Sequence, residues 1–385
     1  MAGSSSMFAP RRLDQTWFQR LIGQNWFIIL LIVSLGLIGV AMQYSVSGGE
    51  FEPYARMHLL RLGLLTILML IIATIDIRIW MALAYPAWIG AIFLLLATDI
   101  FGVVSNNSQR WLDLKVMQLQ PSELAKISVV LALARYFHGL DHVQSRKIIN
   151  LIPPVFIIAL PMFMVVRQPD FGTGLMIAAA GVVVIFLAGA KRWLFWSGGL
   201  TCLAAIPLVW GMMKEYQRDR VLIFLNPELD PLGRGYQSTQ SMIGLGSGGM
   251  WGKGYMDGTQ SHLNFLPEMK TDFIFTVFVE EFGMMGGLGL LGIIVLLFSY
   301  GLLVGIGCRS QFGRLLSVGL TFTLFLYIMI NVGMVTGMLP VVGVPFPLVS
   351  YGGSAMLTWM VAYGLILSVS THRHVSLAPK GSGLL

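Results

Sequence analysis

Charge is what this chain has least of. Lysine, arginine, aspartate and glutamate together make up 11% of its 385 residues, against about 25% in a typical soluble domain. That deficit excludes a water-solvated fold of this length. Cysteine is nearly absent as well: Cys202 lies in an apolar run and Cys308 sits beside Arg309, with no spacing for a metal site or a disulfide framework. Long basic blocks are also lacking. The net charge of +7 comes from cations scattered between apolar runs, which is the pattern of membrane-flanking anchors rather than of a surface that tracks nucleic-acid phosphates.

What fills the chain instead is hydrocarbon, with 56% hydrophobic residues. Apolar runs near 27–46, 59–75, 80–98, 121–139, 150–166, 172–190, 193–213, 273–305, 314–338 and 348–370 approach or exceed the ~20 residues that cross a bilayer as a helix. The reading is an all-α, polytopic integral membrane protein with about ten transmembrane helices, one domain over 1–385. It carries polar tails at 1–25 and 372–385 and one large loop at 214–271. The first run is too long for a signal-peptide core and no small-residue cleavage site follows, so it reads as a span. Ten spans put both termini on one side. With the long loop set aside, because long segments cross largely regardless of charge, thirteen basic residues fall on the side of the termini and six on the other. The termini are therefore expected in the cytoplasm and the loop in the periplasm.

Scarce charges inside apolar segments are functional candidates by default, since lipid does not solvate them. The stretch Asn264 to Gly283 delivers Asp272 to the first turn of an apolar helix that also carries Glu280 and Glu281. On a helix starting near Asp272, Glu280 lies about 12 Å deeper and Glu281 points roughly away from it. Asp272 alone is at headgroup level. The alternative is that Thr271 and Asp272 simply cap the helix. Gln109-Arg110-Trp111 lies in the connector after the third span. In Gln120-Pro121-Ser122-Glu123-Leu124-Ala125-Lys126, Pro121 suits a first helical turn, and Glu123 and Lys126 are three apart and able to pair; such a pair also serves simply to lower the cost of insertion. Arg167-Gln168-Pro169-Asp170-Phe171-Gly172 reads as a tight turn, whether or not Asp170 does more.

The loop 214–271 holds nine glycines between Gly233 and Gly258, a composition that allows movement, and loops of this length are usually lids or binding segments. Gly244, Gly246 and Gly249 match the dinucleotide fingerprint only in spacing, with no strand before them. Between the last two runs, Thr336 to Ser354 is apolar yet full of prolines and glycines, Pro347, Ser350, Gly352 and Gly353 among them. It reads as a broken or re-entrant segment lining a cavity, or as a small-residue helix contact.

Taken together and in this order, Arg110-Trp111-Leu112, Pro121-Ser122-Glu123-Leu124-Ala125-Lys126, Gln168-Pro169-Asp170 and Thr271-Asp272-Phe273-Ile274-Phe275 resemble the SEDS family (shape, elongation, division and sporulation) over nearly the whole chain. Thr239-Gln240-Ser241, Thr259-Gln260-Ser261 and Asn264-Phe265-Leu266-Pro267-Glu268 are more like its rod-shape branch than its division branch. The resemblance implies a multi-pass glycosyltransferase of the bacterial inner membrane that polymerises lipid II into the glycan strands of peptidoglycan during cell elongation. It also implies a class B penicillin-binding protein as transpeptidase partner, along with other membrane proteins of the elongation complex. Asp272 then matches the family's catalytic candidate, and Arg110, Glu123, Lys126 and Asp170 match positions tied to activity or to the central cavity. Where the family often has histidine before Thr-Asp, this chain has Lys270.

The chemistry accounts for these residue types. A sugar hydroxyl attacks an anomeric carbon whose leaving group is a lipid diphosphate, so a carboxylate is needed to take the proton, and cations to hold the diphosphate. Asp272 fits the first role. Arg110, Lys126, Arg218, Arg220 and Lys270 are candidates for the second, with Glu123 and Asp170 beside them. A divalent cation such as Mg2+ or Mn2+ is another way to neutralise the diphosphate, and no organic cofactor is required. One base and an activated donor imply inversion at the anomeric centre. Two other classes fit parts of the pattern. A lipid II flippase would place charges near the midplane at broken helices, and a scaffold would need no polar cluster.

Overall fold

The computed structural model describes residues 16–105, 108–113, 118–141, 143–213, 215–230, 233–259, 268–375 and 377. Each apolar run forms a helix. Their order is α1 (Trp17–Ile22), α2 (Trp26–Val46), α3 (Tyr54–Thr74), α4 (Ile77–Phe101), α5 (Pro121–His138), α6 (Ile152–Arg167), α7 (Phe171–Leu187), α8 (Arg192–Met212), α9 (Glu215–Leu225), α10 (Arg234–Ser247), α11 (Ile274–Gly307), α12 (Gln311–Val335) and α13 (Gly353–Thr371). Starts are marked by side-chain caps where the sequence supplies them: Asp76 accepts from the Arg78 N–H at 2.8 Å, Asp170 from Thr173 at 3.2 Å and Ser310 from Gly313 at 3.1 Å. Pro121 sits in the first turn of α5 as expected.

Among the described residues, eight helices are long and apolar enough to cross a membrane, and α7 is a shorter apolar one. The remaining run, α5, is less apolar because it is the central helix, with fourteen of its eighteen residues buried against α4, α7, α12 and α6. By contrast α8 has no buried residue. In a bilayer the apolar face is turned outward, so the most hydrophobic helices need not be the most enclosed. The first and last described segments meet at one end of the bundle, as an even number of spans requires. At one end Arg20 donates to the Thr74 carbonyl and Gln24 to that of Ala73, and the Arg309 N–H reaches Arg373. The other end holds everything polar described below.

Departures from plain helix concentrate at that second end. The connector after α4 forms a small antiparallel sheet, β1 (Val103–Ser105), β2 (Ser108–Asp113) and β3 (Gln118–Leu119), with Leu112 opposite Leu119. The all-α expectation missed it, since the strands are too short to show alternation. The long loop is largely helical where described, and Gly244 and Gly246 lie inside α10, which rules out a phosphate-binding turn there.

The 34-residue α11 is broken at Gly283, whose φ is 70°. The break leaves the carbonyls of Glu280 and Glu281 and the N–H groups of Met284 and Met285 without their usual partners. Backbone of the glycine-rich loop supplies all four: Lys253 N–H donates to Glu280 at 3.1 Å and Gly254 N–H to Glu281 at 3.0 Å, while Met284 and Met285 donate to Gly249 and Met250 at 2.9 and 3.1 Å. Such satisfaction is obligatory at membrane depth. A β-carbon on Gly283 would come within 2.3 Å of the Gly252 nitrogen, and one on Gly252 within 2.1 Å of the Glu281 oxygen. Glycine is required at both places for backbone to meet backbone.

The segment between α12 and α13 is irregular, and its second part, 344–350, is largely buried in protein, in line with the broken-segment reading. Asn331 donates to the Val344 carbonyl at 2.6 Å and to that of Asp272 at 2.8 Å. Ser350 accepts from Phe346 at 2.7 Å and donates to the Thr271 carbonyl. The Tyr351 N–H reaches the Lys270 carbonyl at 2.8 Å, and Gln43 donates to the same oxygen at 3.0 Å. Three elements distant in sequence thus fix the backbone of Lys270, Thr271 and Asp272.

Candidate functional site

A cavity of about 510 Å³ opens at this end, lined by Arg110, Trp111, Gln120, Glu123, Lys126, Asp170, Gln237, Glu268, Asp272, Tyr327, Tyr351 and Gly352 among others. Strand β2, the first turn of α5, the α6–α7 turn, α10, the approach to α11 and the broken segment each contribute. The four motif regions around Arg110, Glu123, Asp170 and Asp272, separated by up to 162 residues in sequence, meet here.

Asp272 is half-buried in the cavity wall. Neither it nor Thr271 caps α11: the helix starts at Ile274 with no side-chain cap, and the Thr271 hydroxyl is turned back to Glu268. The capping alternative therefore fails. Among the described residues the Asp272 carboxylate has no hydrogen-bond donor, and burial, with the charge of Glu268 adding to it, pushes its pKa up to about 7. A carboxylate in this state is half-charged near neutrality and suited to take a proton.

Glu123 and Lys126 form the expected pair at 2.7 Å, both nearly inaccessible. The Tyr327 hydroxyl donates to the other oxygen of Glu123, and Lys126 Nζ stands 4.1 Å over the Tyr327 ring. Arg110 donates to the carbonyls of Gln168, at 3.0 Å, and Pro169, and lies 4.0 Å from Asp170. Asp170 is at once helix cap and cavity wall, accepting from Thr173 and from Gln120 at 3.1 Å. The turn reading and the cavity reading of Asp170 both hold.

Other sequence candidates lie elsewhere. Arg218 donates to the carbonyls of Trp210 and Gly211, at 2.9 and 2.7 Å, satisfying the end of α8, and it does not line the cavity. The side chain of Arg220 lies outside the described residues. Lys270 Nζ sits 3.6 Å over the Tyr54 ring instead of turning into the cavity. Glu280 is a structural hub, accepting from Lys253 at 2.6 Å and from both the N–H and the hydroxyl of Thr259 at 3.0 Å, and Glu281 accepts from Ser45. Pro347 is buried, and Gly352 borders the cavity while Gly353 packs against Arg61. Sequence reading passed over Tyr327 and Asn331. Their spacing of four on α12 puts both on one face, and that is the signal that was available. Among the described residues no three histidine, cysteine, aspartate or glutamate side chains gather as a metal site.

Comparison with known proteins agrees with the geometry. The family model described as a cell cycle protein, FtsW/RodA/SpoVE, matches residues 23–375. The chain is 42% identical over 348 residues to peptidoglycan glycosyltransferase MrdB of Escherichia coli K12, covering 90% of this chain and 93% of that one. It is 33% identical over 357 residues to stage V sporulation protein E of Bacillus subtilis 168, covering 90% and 97%. Among solved structures, a chain of a peptidoglycan synthase complex that coordinates polymerization and crosslinking superposes with TM-score 0.79 at 30% identity, over 92% of this chain and all of that one. The rod shape determining protein RodA of Thermus thermophilus superposes with TM-score 0.69 at 25% identity, over 92% and 99%. The chain belongs to the FtsW/RodA/SpoVE family and resembles its RodA-type members.

Proposed function

We propose that the cavity joins lipid-linked saccharides, with Asp272 as general base. The chain is a peptidoglycan glycosyltransferase, and the observation that carries the mechanistic reading is a cavity carboxylate held without a donor and poised near neutral pH. Asp272 takes the proton of the acceptor hydroxyl as its oxygen attacks the anomeric carbon of the lipid-linked donor. The bond to the lipid diphosphate breaks with inversion, and lipid II and the growing glycan are the two substrates.

Arg110 and Lys126 are the cations of the cavity, but both are already engaged by Asp170, Glu123 and the backbone of the α6–α7 turn. The lining carries Glu123, Asp170, Glu268 and Asp272 against these two. An anionic diphosphate entering such a site needs added positive charge. A Mg2+ or Mn2+ ion fits as a companion of the diphosphate, since Mg2+ is commonly held by one or two carboxylates plus substrate phosphates. Glu268, which lines the cavity and is in no ion pair among the described residues, is the carboxylate that would hold it, and there it would supply charge neutralisation.

A class B penicillin-binding protein is the proposed partner, alongside other membrane proteins of the elongation complex. The site is placed at the outer face of the bacterial inner membrane with both termini in the cytoplasm. For the orientation, Ser238→Cys should react with an impermeant thiol reagent in spheroplasts, and protection of Ser238→Cys in a functional protein would reverse it. For the activity, purified protein in lipid vesicles containing lipid II should yield glycan polymer, at a higher rate with the transpeptidase present. Transport of lipid II with no polymer under any partner ratio would replace this reading with the flippase.

A further inference from the structure

The unpaired cations of this end of the molecule lie just outside the cavity. Arg61 is the eighth residue of α3, on the seam between the lipid-facing residues Leu60 and Leu64 and the buried Leu62 and Leu65. Its guanidinium lies 4.8 Å from the centre of the Tyr351 ring, its Nε is buried without an acceptor, and among the described residues no carboxylate pairs with it. Tyr351 meets Tyr54 edge-on at 5.2 Å, and Lys270, also without a carboxylate partner, stands over the other ring. Two cations thus flank a pair of tyrosines, one of which is itself cavity wall. Beside Arg61 is Gly353, the first residue of α13, whose start has no side-chain cap. The positive end of that helix adds to the same local potential.

Three positive features are therefore gathered at the outer, lipid-facing edge, and among the described residues neither Arg61 nor Lys270 is in an ion pair. A cation in such a position is costly unless an anion completes it, and ring contacts offset only part of that cost. The cavity's own cations, Arg110 and Lys126, are by contrast already matched. We propose that Arg61 and Lys270 form an anion subsite at the α3–α13 seam for the phosphate or diphosphate headgroup of a membrane lipid, next to the cavity and separated from it by Tyr351. The lipid tail would lie along the exposed face of α3. Two sources share this chemistry, a polyprenyl diphosphate and an anionic phospholipid.

The subsite is read by binding, without turnover, so its failure is separate from failure of the proposed activity. The full chain is placed in phosphatidylcholine nanodiscs and titrated with polyprenyl diphosphate or with phosphatidylglycerol, bound lipid being counted by native mass spectrometry. Arg61→Gln and Lys270→Gln should each weaken binding about tenfold, as the loss of one charge-assisted contact does, with Arg61→Lys retaining part of it. Loss confined to polyprenyl diphosphate assigns the site to a prenyl-linked ligand, whereas loss confined to phosphatidylglycerol assigns it to bulk lipid. Unchanged affinity for both probes in the double variant overturns the proposal. So does a fall in the ligand-free Tm of Arg61→Gln, because removing an uncompensated cation should leave the empty protein at least as stable.

Discussion

Asp272, two residues before α11, and Glu280, just ahead of the break in it, stand eight residues apart, and the structure treats them in opposite ways. Glu280 is fully buried and accepts from an ammonium, a hydroxyl and a backbone N–H. Asp272 has none of these and keeps a raised pKa. A carboxylate that is enclosed but left without donors has its proton affinity raised, because burial disfavours the charged form and nothing compensates it. The same residue chemistry gives a fastener at one end and a base at the other.

The contrast is sharpest under Asp272→Asn. It should lower polymerisation by about 10² to 10⁴, the usual contribution of a general base, and leave the Tm unchanged because no cap or ion pair is lost. A variant that polymerises like the parent would move the search for the base to Asp170 or Glu123. Lys253→Ala attacks the other end. With Glu280 left buried beside only neutral donors, unfolding should become easier by about 3 kcal/mol, the low end of the range for breaking a buried pair, since Lys253 is partly exposed; thermal denaturation in detergent measures it. If Lys253→Ala lost activity at an unchanged Tm, the fastener reading would be wrong.

The smallest effect is on pH dependence. The charged form of Asp272 declines as pH falls through about 7, so the rate should decline with it. Glu268→Gln removes a neighbouring negative charge that raises this pKa, and should therefore shift the acid limb of the profile to lower pH. A pH–rate profile with the same midpoint in Glu268→Gln would show that burial alone sets it.

Much of this was legible in the residues. The ten apolar runs, the exceptional charges at Asp272, Glu123 and Lys126, and the broken stretch before Gly353 all stand out because lipid tolerates neither charge nor unpaired backbone. What stayed hidden depended on packing between distant segments. Helix geometry put Glu280 deeper than Asp272, but nothing near it in sequence announces Lys253 or Thr259 as its partners. Arg218 read as a cation for substrate, yet two carbonyls at the end of α8 claim it. Tyr327 and Arg61 are polar groups in largely apolar spans, and the side chains they meet come from other elements. The glycines of the loop suggested freedom of movement, whereas the structure uses them for close approach.

The junction at Gly283 has a consequence for how this protein tolerates change. Because the four bonds across it run between main-chain atoms, the identities of Met250, Trp251 and Lys253 do not enter into them, whereas the spacing from Gly249 to Gly254 does. That stretch is a ruler: it should accept replacements at the exposed Met250 and Trp251, yet reject the insertion or deletion of a single residue, which would slide every donor past its acceptor and leave a cut helix open inside the bilayer.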